Sequence, residues 1–259
     1  MTTPISLVVP TSFGDVPLSA DERGTGRPVV ILHGGAGPAS VTGFADLLAA
    51  ETGTRVIVPT HPGFGGTVRP ADLDSVAGLA EVYDGLLSAL DLEDCTVIGN
   101  SLGGWVTAEL ALRHPVGLGR IALVDAVGIE VAGHPVASTL APAQLAEYAW
   151  FNPLKAPRLD PASLPPAARE IFAGNFEALA VYGGAMIDPT LLGRLGDVEV
   201  PALVVWGEAD RIADPDYGRT FAAAIPGARF ELLLGTGHVP QLETPGLLLE
   251  ALRAFVAGS

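Results

Sequence analysis

The sequence has one cysteine, few basic residues and no hydrophobic run long enough to cross a bilayer. Cys95 alone cannot form an intrachain disulfide or a multi-cysteine metal site, and its apolar surroundings predict a buried thiol. Lys and Arg number 14 against 29 Asp and Glu, which gives a net charge of −15. A chain this acidic should repel phosphate backbones and anionic membranes, so we expect neither nucleic acid nor a membrane as a partner.

The N-terminal segment, MTTPISLVVPTSFGD, also lacks the basic region and the sustained apolar stretch of a secretory signal peptide. We therefore predict a cytoplasmic protein. Hydrophobic residues, in contrast, are abundant and make up 49% of the 259 positions. That is enough to form one large core.

Short runs rich in Val and Ile alternate with longer amphipathic segments along the chain. The predicted strands are Ile5–Val9, Pro28–Leu32, Arg55–Pro59, Thr96–Ile98, Arg120–Val124, Ala202–Trp206 and Arg229–Leu234. The predicted helices are Val41–Ala50, Leu73–Leu90, Leu102–His114, Asp216–Ala224 and Pro245–Ala257. Strands that are apolar at every position and alternate with helices indicate a mostly parallel sheet covered on both faces.

Residues 128–196 break this alternation, because they carry many prolines and aromatic residues but no strand-like run. The segment is too apolar for a disordered linker. We predict a helical cap at 128–196 that packs over a core domain made of residues 1–127 and 197–259.

The segment VIGNSLGGWVTAELALRHP, from Val97 to Pro115, places Ser101 between two glycines where a strand passes into a helix. Such a turn is typical of a nucleophile elbow, in which small neighbours permit a strained serine backbone. The following helix directs its N-terminal amides at the same place, which favours negative charge that develops there. Ser101 is therefore the predicted nucleophile.

A serine nucleophile requires a base and an acid that orients the base. Of the five histidines, His238 is the best base by position, because it lies in a glycine-containing loop between the last strand and the last helix. His33, His61 and His114 lie in turns or at a helix end, and His134 lies in the cap with no acid placed to orient it.

For the acid, Asp210 follows a predicted strand by a short turn, whereas Asp214 is better placed to cap the next helix. Asp125, at the end of the preceding strand, is a rival. The chain order Ser101, Asp210, His238 is the order of the α/β-hydrolase arrangement. The predicted oxyanion-hole donors are the amide of Leu102, after the nucleophile, and the amide of Gly35 in the glycine loop that follows His33.

With the segments LHGGAGP, VIVPTHPGFGGTVRP, VIGNSLGGW, LVVWGEADRI and GTGHVPQLETP, the chain resembles the α/β-hydrolase superfamily over most of its length. The resemblance implies an eight-stranded, mostly parallel sheet with a helical cap inserted after strand 6. It also implies Ser101 as nucleophile, Asp210 as acid and His238 as base, with no metal or organic cofactor.

Two groups within the superfamily are similar to this chain. The GNSLGG and HGGAGP segments look like those of carbon–carbon bond hydrolases that cleave meta-fission products. That group usually carries tryptophan after the histidine, where this chain has Val239, and uses a cap arginine, for which Arg158 and Arg169 are available. Perhydrolases and small-molecule carboxylesterases are equally similar in the segment after His238.

We expect a small-molecule substrate, because the cap is rich in aromatic residues that would give an apolar pocket. The predicted substrate-binding residues are Trp150, Phe176, Tyr182 and Val239. The leading hypothesis is a serine hydrolase that cleaves an ester or related acyl bond of a small hydrophobic molecule. The alternatives are carbon–carbon bond hydrolysis and a small-molecule receptor that retains the triad. The sequence indicates no oligomeric state.

Overall fold

The structure is a computed structural model that describes residues 2–138, 140, 142–157 and 163–258. Eight strands form one sheet in the spatial order β1-β2-β4-β3-β5-β6-β7-β8. Their bounds are β1 Thr3–Thr11, β2 Gly14–Arg23, β3 Pro28–Leu32, β4 Arg55–Pro59, β5 Cys95–Asn100, β6 Leu118–Val124, β7 Ala202–Gly207 and β8 Arg229–Leu233. All pairings among β3 to β8 are parallel, which confirms the predicted sheet.

The sequence prediction missed β2, which pairs antiparallel with both β1 and β4. Its residues GDVPLSADER expose alternate positions, and only Val16, Leu18 and Ala20 supply a buried apolar face. Alternation with period two is the signal of a half-buried strand, but polar residues and Pro17 obscure it here.

Helices cover both faces of the sheet, as predicted. Their bounds are α1 Ala39–Thr52, α2 Val76–Ala89, α3 Leu102–Ala111, α4 Pro142–Ala149, α5 Pro166–Gly183, α6 Leu191–Arg194, α7 Pro215–Ala224, α8 Pro240–Glu243 and α9 Pro245–Ala257. Buried side chains of α2, α3 and α7 form one apolar cluster with the sheet, and those of α1 and α9 form a second. The predicted helix over Leu102–His114 ends three residues early, where His114 adopts a positive φ of 51°.

Helices α4, α5 and α6 lie between β6 and β7, at the predicted insertion point. The inner face of α5 presents Asn175, Ala178, Leu179 and Tyr182, a spacing that places all four on one side of a helix. The Tyr182 hydroxyl donates to the carbonyl of Pro62 at 2.9 Å. The boundaries of a core at 1–127 and 197–259 and a cap at 128–196 remain a prediction.

The end of α4 is joined to the loop that carries His238 by main-chain contacts. The His238 amide donates to the carbonyl of Ala149 at 2.8 Å. The Glu243 carboxylate accepts from three amides, those of Phe151 at 3.0 Å, Asn152 at 3.0 Å and Gly237 at 2.9 Å. One acidic side chain therefore ties the segment after α4 to the histidine loop.

Over the part of the chain that the structure describes, no helix combines the length and the apolar character needed to span a membrane.

Candidate active site

Ser101 occupies a sharp turn between β5 and α3. Its backbone has φ 55° and ψ −117°, a conformation that L-residues rarely adopt and that indicates local strain. Two glycines make the turn possible. A Cβ on Gly99 would lie 2.1 Å from the carbonyl oxygen of Gly103, and one on Gly103 would lie 2.2 Å from that of Leu32. The turn therefore holds the serine hydroxyl at the carboxyl end of the sheet.

The three residues predicted as nucleophile, base and acid form one hydrogen-bond chain. Nε2 of His238 lies 2.9 Å from Oγ of Ser101, and Nδ1 of His238 lies 2.8 Å from Oδ2 of Asp210. Asp210 is itself fixed, because its Oδ1 accepts from the amides of Ile212 at 2.7 Å and Ala213 at 3.1 Å. With Nδ1–H held by a carboxylate, Nε2 is free to accept the serine proton.

Asp125, the rival acid, lies beside Asp210 but does not bond to the imidazole in this structure. Its Oδ1 accepts from the amide of Gly207 at 2.8 Å, and its Oδ2 is buried without a partner. Burial raises the pKa of Asp125 well above its usual range, and the neighbouring charge of Asp210 raises it further. The raised pKa disfavours the charged form of Asp125, which is the form that would stabilise an imidazolium.

The predicted oxyanion donors flank Ser101. Leu102 is the first residue of α3, so its amide has no acceptor within the helix. Gly35 is half-buried in the loop after β3, and a Cβ on the adjacent Gly34 would lie 2.9 Å from Cβ of Ser101. The side chain of Leu179, from α5, packs against Gly35 and gives this region an apolar wall.

The four residues predicted to bind substrate lie in different environments. Tyr182 and Trp150 are buried, and the Tyr182 hydroxyl donates a hydrogen bond to the carbonyl of Pro62. Val239 is half-buried directly after His238. Phe176 is 40% exposed and its ring contacts Phe172. Substrate contact by these residues remains a prediction.

Arg158, one of the two cap arginines considered for a substrate carboxylate, lies outside the described residues. Arg169, the other, is exposed near the start of α5. Leu179, which sequence reasoning did not single out, is the α5 side chain in contact with Gly35. Its position one helical turn after Asn175 could have suggested an inward direction, but not which loop it would meet.

His134 corrects one expectation, because an acid does orient it. Its Nδ1 lies 2.7 Å from Oδ2 of Asp214, a residue 80 positions away in sequence. The hydrogen bond to Asp214 raises the pKa of His134. The same hydrogen bond lowers the pKa of Asp214, although burial alone would raise it. Asp214 also caps α7 as predicted, since it accepts from the amides of Asp216 and Tyr217.

Two further histidines, His33 and His61, are fully buried beneath the Gly35 loop. Their ring centroids lie 3.9 Å apart. The amide of His61 donates to Nε2 of His33 at 3.1 Å, and Nε2 of His61 donates to the carbonyl of His33 at 2.8 Å. Nδ1 of His61 bonds to the hydroxyl of Tyr83. Neither histidine is placed to act as a base on Ser101.

Burial lowers the pKa of His61 from 6.5 to about 4. Below about pH 6.5 the unfolded chain binds a proton at His61 that the folded protein does not accept until about pH 4, so acid destabilises the fold. We expect His61 to reduce the free energy of unfolding by about 2 kcal/mol between pH 7 and pH 5. Denaturant unfolding of the native protein and the His61→Gln variant at both pH values measures this.

The comparison of the two pH slopes reports on His61 and its effect on the neighbouring His33, because Asp125, which contributes with the opposite sign, is present in both proteins. The raised pKa of Asp125 means that the folded state retains a proton that the unfolded state releases, which favours folding as pH falls. Equal slopes in the native protein and His61→Gln would contradict the prediction.

Within the described ranges, one cluster of side chains has the donor set of a metal site: Asp125, Asp210 and His238, whose ligand atoms all lie within 4.8 Å of one another. All three are buried, and the latter two already bond to each other. A metal ion there would replace the carboxylate–imidazole bond, so the cluster fits an acid–base pair better than a metal centre.

The chain is similar to known proteins over most of its length. A family model described as the alpha/beta hydrolase family matches residues 29–251. A 2-hydroxymuconate semialdehyde hydrolase from Pseudomonas putida is 31% identical over 255 residues, which cover 91% of this chain and 89% of that protein. Lipase 1 of Psychrobacter immobilis is 27% identical over 246 residues, or 89% of this chain and 77% of the lipase.

Among solved structures, a thermophilic esterase from Thermogutta terrifontis, with malate bound, superposes with a TM-score of 0.73. The two chains are 23% identical, and the match covers 98% of each. At this identity the likeness concerns the fold.

Proposed function

The chain belongs to the alpha/beta hydrolase family, and on that premise we propose that it is a serine hydrolase that cleaves an ester or related acyl bond of a small hydrophobic molecule. One observation carries the proposal. Asp210, His238 and Ser101 form a continuous chain of hydrogen bonds that ends on a strained serine at the start of a buried helix. That arrangement is what acyl transfer through a serine requires.

In the first half of the reaction, Oγ of Ser101 attacks the ester carbonyl carbon while Nε2 of His238 takes the hydroxyl proton. The carbonyl oxygen becomes an oxyanion, which accepts from the amides of Leu102 and Gly35. The tetrahedral intermediate then collapses, the carbon–oxygen bond to the leaving group breaks, and His238 passes its proton to the departing alcohol.

In the second half, water attacks the acyl-enzyme carbonyl. His238 takes a proton from that water, and the same two amides stabilise the second oxyanion. Collapse breaks the bond to Oγ, releases the carboxylic acid and returns the proton to Ser101. Asp210 keeps the imidazole in the tautomer whose unprotonated Nε2 faces the serine.

The surroundings of Ser101 support an apolar acyl group. Leu179 packs against Gly35. The buried rings of Phe64 and Tyr182, with centroids 6.5 Å apart, belong to the same apolar cluster as Leu102, the residue after Ser101. Apolar walls with a few convergent polar groups are typical of pockets for small uncharged ligands. The net charge of −15 disfavours polyanionic substrates.

A fluorophosphonate probe tests the proposal directly. Ser101 should attack phosphorus, expel fluoride and retain the phosphonyl group, because the adduct mimics the tetrahedral intermediate. Peptide mass spectrometry should locate the adduct on Ser101 and not on the half-buried Thr67. Absence of an adduct, or an adduct elsewhere, contradicts the proposal, and binding of an ester without turnover favours a receptor.

Carbon–carbon bond hydrolysis is the second candidate, favoured by the 31% identity to a protein named 2-hydroxymuconate semialdehyde hydrolase. The same three side chains would serve, after a proton transfer that converts the dienol substrate to its keto form. Val239 and the exposed Arg169 give no specific support to a substrate carboxylate at this site. Cleavage of a vinylogous 1,5-diketone with no turnover of p-nitrophenyl esters would establish this activity instead.

A further inference from the structure

We propose that His61, together with Tyr83, is a positioning residue that acts through His33 to aim the Gly35 amide at the oxyanion. The inference rests on the proposed hydrolase function, because it assigns a role in the same reaction. It arises from the buried imidazole pair beneath the Gly35 loop, which takes no part in the proton transfers described above.

The His33 ring orients one peptide group of the Gly35 loop. Nδ1 of His33 lies 2.8 Å from the carbonyl oxygen of Gly34, which also accepts from the amide of Gly37 at 3.0 Å. The carbonyl of Gly34 and the amide of Gly35 belong to the same peptide unit. Because the described peptide bonds are all trans, that N–H points opposite to the carbonyl. A donor on His33 therefore fixes the direction of the Gly35 N–H.

The main chain of His61 determines the tautomer of His33. The amide of His61 can only donate, so Nε2 of His33 must be the acceptor in their 3.1 Å contact. The proton of a neutral His33 then lies on Nδ1, where it donates to Gly34. The tautomer that orients the oxyanion loop is thus selected by the main chain of His61.

The tautomer of His61 is determined by its own hydrogen bonds in the same way. Its Nε2 lies 2.8 Å from the carbonyl of His33, which can only accept, so Nε2 carries the proton. Nδ1 is then an acceptor, and the Tyr83 hydroxyl donates to it. The chain of donors runs from Tyr83 to His61, from His61 to His33 and from His33 to Gly34.

Burial keeps every member of this chain neutral. His33, His61 and Tyr83 are at most 1% exposed, and the Phe64 ring contacts both imidazoles. Burial lowers the pKa of both histidines, and their mutual proximity lowers that of His33 further. Another ionisable group, Tyr182, lies beside the Phe64 ring. Burial raises the pKa of Tyr182, as it raises that of Tyr83. The donors and acceptors of these hydrogen bonds therefore keep their roles at neutral pH.

The experiment compares Tyr83→Phe, His61→Leu and His61→Gln with a matched control, Tyr217→Phe. Tyr217, on α7, is another buried tyrosine, and its hydroxyl bonds to the main chain of Ile129. It has no part in the site. For each protein, kcat and KM are measured on p-nitrophenyl acetate. The affinity for a trifluoromethyl ketone, which forms an oxyanion on a serine nucleophile, is measured alongside.

We expect kcat to fall about tenfold in Tyr83→Phe and about a hundredfold in His61→Leu, with KM changed less than about threefold, because only the oxyanion loses a well-aimed donor. Affinity for the ketone should fall by the same factors. His61→Gln retains a donor toward the His33 carbonyl, so it should recover part of the loss. Tyr217→Phe should lower thermal stability and leave kcat within about twofold.

The positioning role is overturned if Tyr83→Phe and His61→Leu keep the kcat and ketone affinity of the native protein. It is equally overturned if Tyr217→Phe loses as much kcat as they do, since the effect would then be one of stability alone. Nitrogen chemical shifts of the imidazoles give a readout independent of catalysis, with His33 expected as the Nδ1–H tautomer and His61 as the Nε2–H tautomer. Failure of the native protein to react with a fluorophosphonate would instead overturn the proposed function, and with it the role that depends on it.

Discussion

The Ser101→Ala variant should lose at least about 10⁴-fold in kcat for ester hydrolysis, the largest effect we expect from any single substitution in this chain. In the proposed mechanism, attack by Oγ creates the acyl-enzyme, and no other hydroxyl bonds to His238 in the described part of the structure. The residual rate should be that of water attack assisted by the two oxyanion amides. Stopped-flow and steady-state assays with p-nitrophenyl acetate measure it.

The substitution should leave the fold intact, since alanine removes one oxygen and inherits the same backbone conformation. Ser88→Ala is a suitable control, because Ser88 is an exposed serine on α2 whose hydroxyl bonds only to the carbonyl of Asp84. Circular dichroism and thermal unfolding should match in the two variants. Retention of more than about 1% of native activity in Ser101→Ala would remove the serine from the mechanism.

The Asp210→Asn variant should lose about 10⁴-fold in kcat, because its amide favours the wrong imidazole tautomer. Asp210 accepts from Nδ1 of His238 at 2.8 Å and is fully buried, so no water can replace it at low cost. An asparagine NH₂ group in that place would donate to Nδ1 and leave the proton on Nε2, where it faces Ser101. The same assays, extended from about pH 6 to about pH 9, measure the loss.

Asp125→Asn provides the matched comparison, because it changes the neighbouring carboxyl in the same way. Burial and the charge of Asp210 raise the pKa of Asp125, and the amide of Gly207 can still donate to an asparagine oxygen. We therefore expect kcat within about threefold of the native value. If Asp125→Asn were as inactive as Asp210→Asn, the assignment of the acid to the residue after β7 would be wrong.

The fold and the placement of the triad could be predicted because their signals are local. Runs such as Ala202–Trp206 are apolar at every position and short, which indicates a strand covered on both faces. Ser101, Asp210 and His238 each lie three or four residues after the end of a predicted strand. Parallel strands bring their carboxyl ends to one edge, so three local patterns sufficed to predict one site.

The parts that sequence reasoning missed depend on contacts between distant segments. His33 and His61 are 28 residues apart, and nothing within either turn shows that their rings come into contact or that each ring bonds to the other residue's main chain. The pairing of His134 with Asp214 spans 80 residues. Strand β2 was missed for another reason: its exposed face is polar, and only its neighbours reveal the pairing.

Substrate contacts were the least predictable feature, because an aromatic residue on an amphipathic helix can point either way. Phe176 and Leu179 both belong to α5 and are three positions apart. Phe176 faces outward at 40% exposure, and Leu179 reaches the oxyanion loop. The helix orientation that decides between them is set by the Tyr182 hydroxyl and the inner face of α5, which only the folded chain displays.

The bonds that Glu243 makes have a mechanical consequence for how a substrate enters. The end of α4 and the loop of His238 are joined by one amide–carbonyl bond and by three amides that share one carboxylate, so a displacement of either would break these hydrogen bonds. Helix α5, in contrast, is attached to the turn after β4 by side chains such as Tyr182 and Asn175. We expect access to Ser101 to depend more on displacement of α5 than of the end of α4, because a shift of α5 leaves the four bonds to the His238 loop intact.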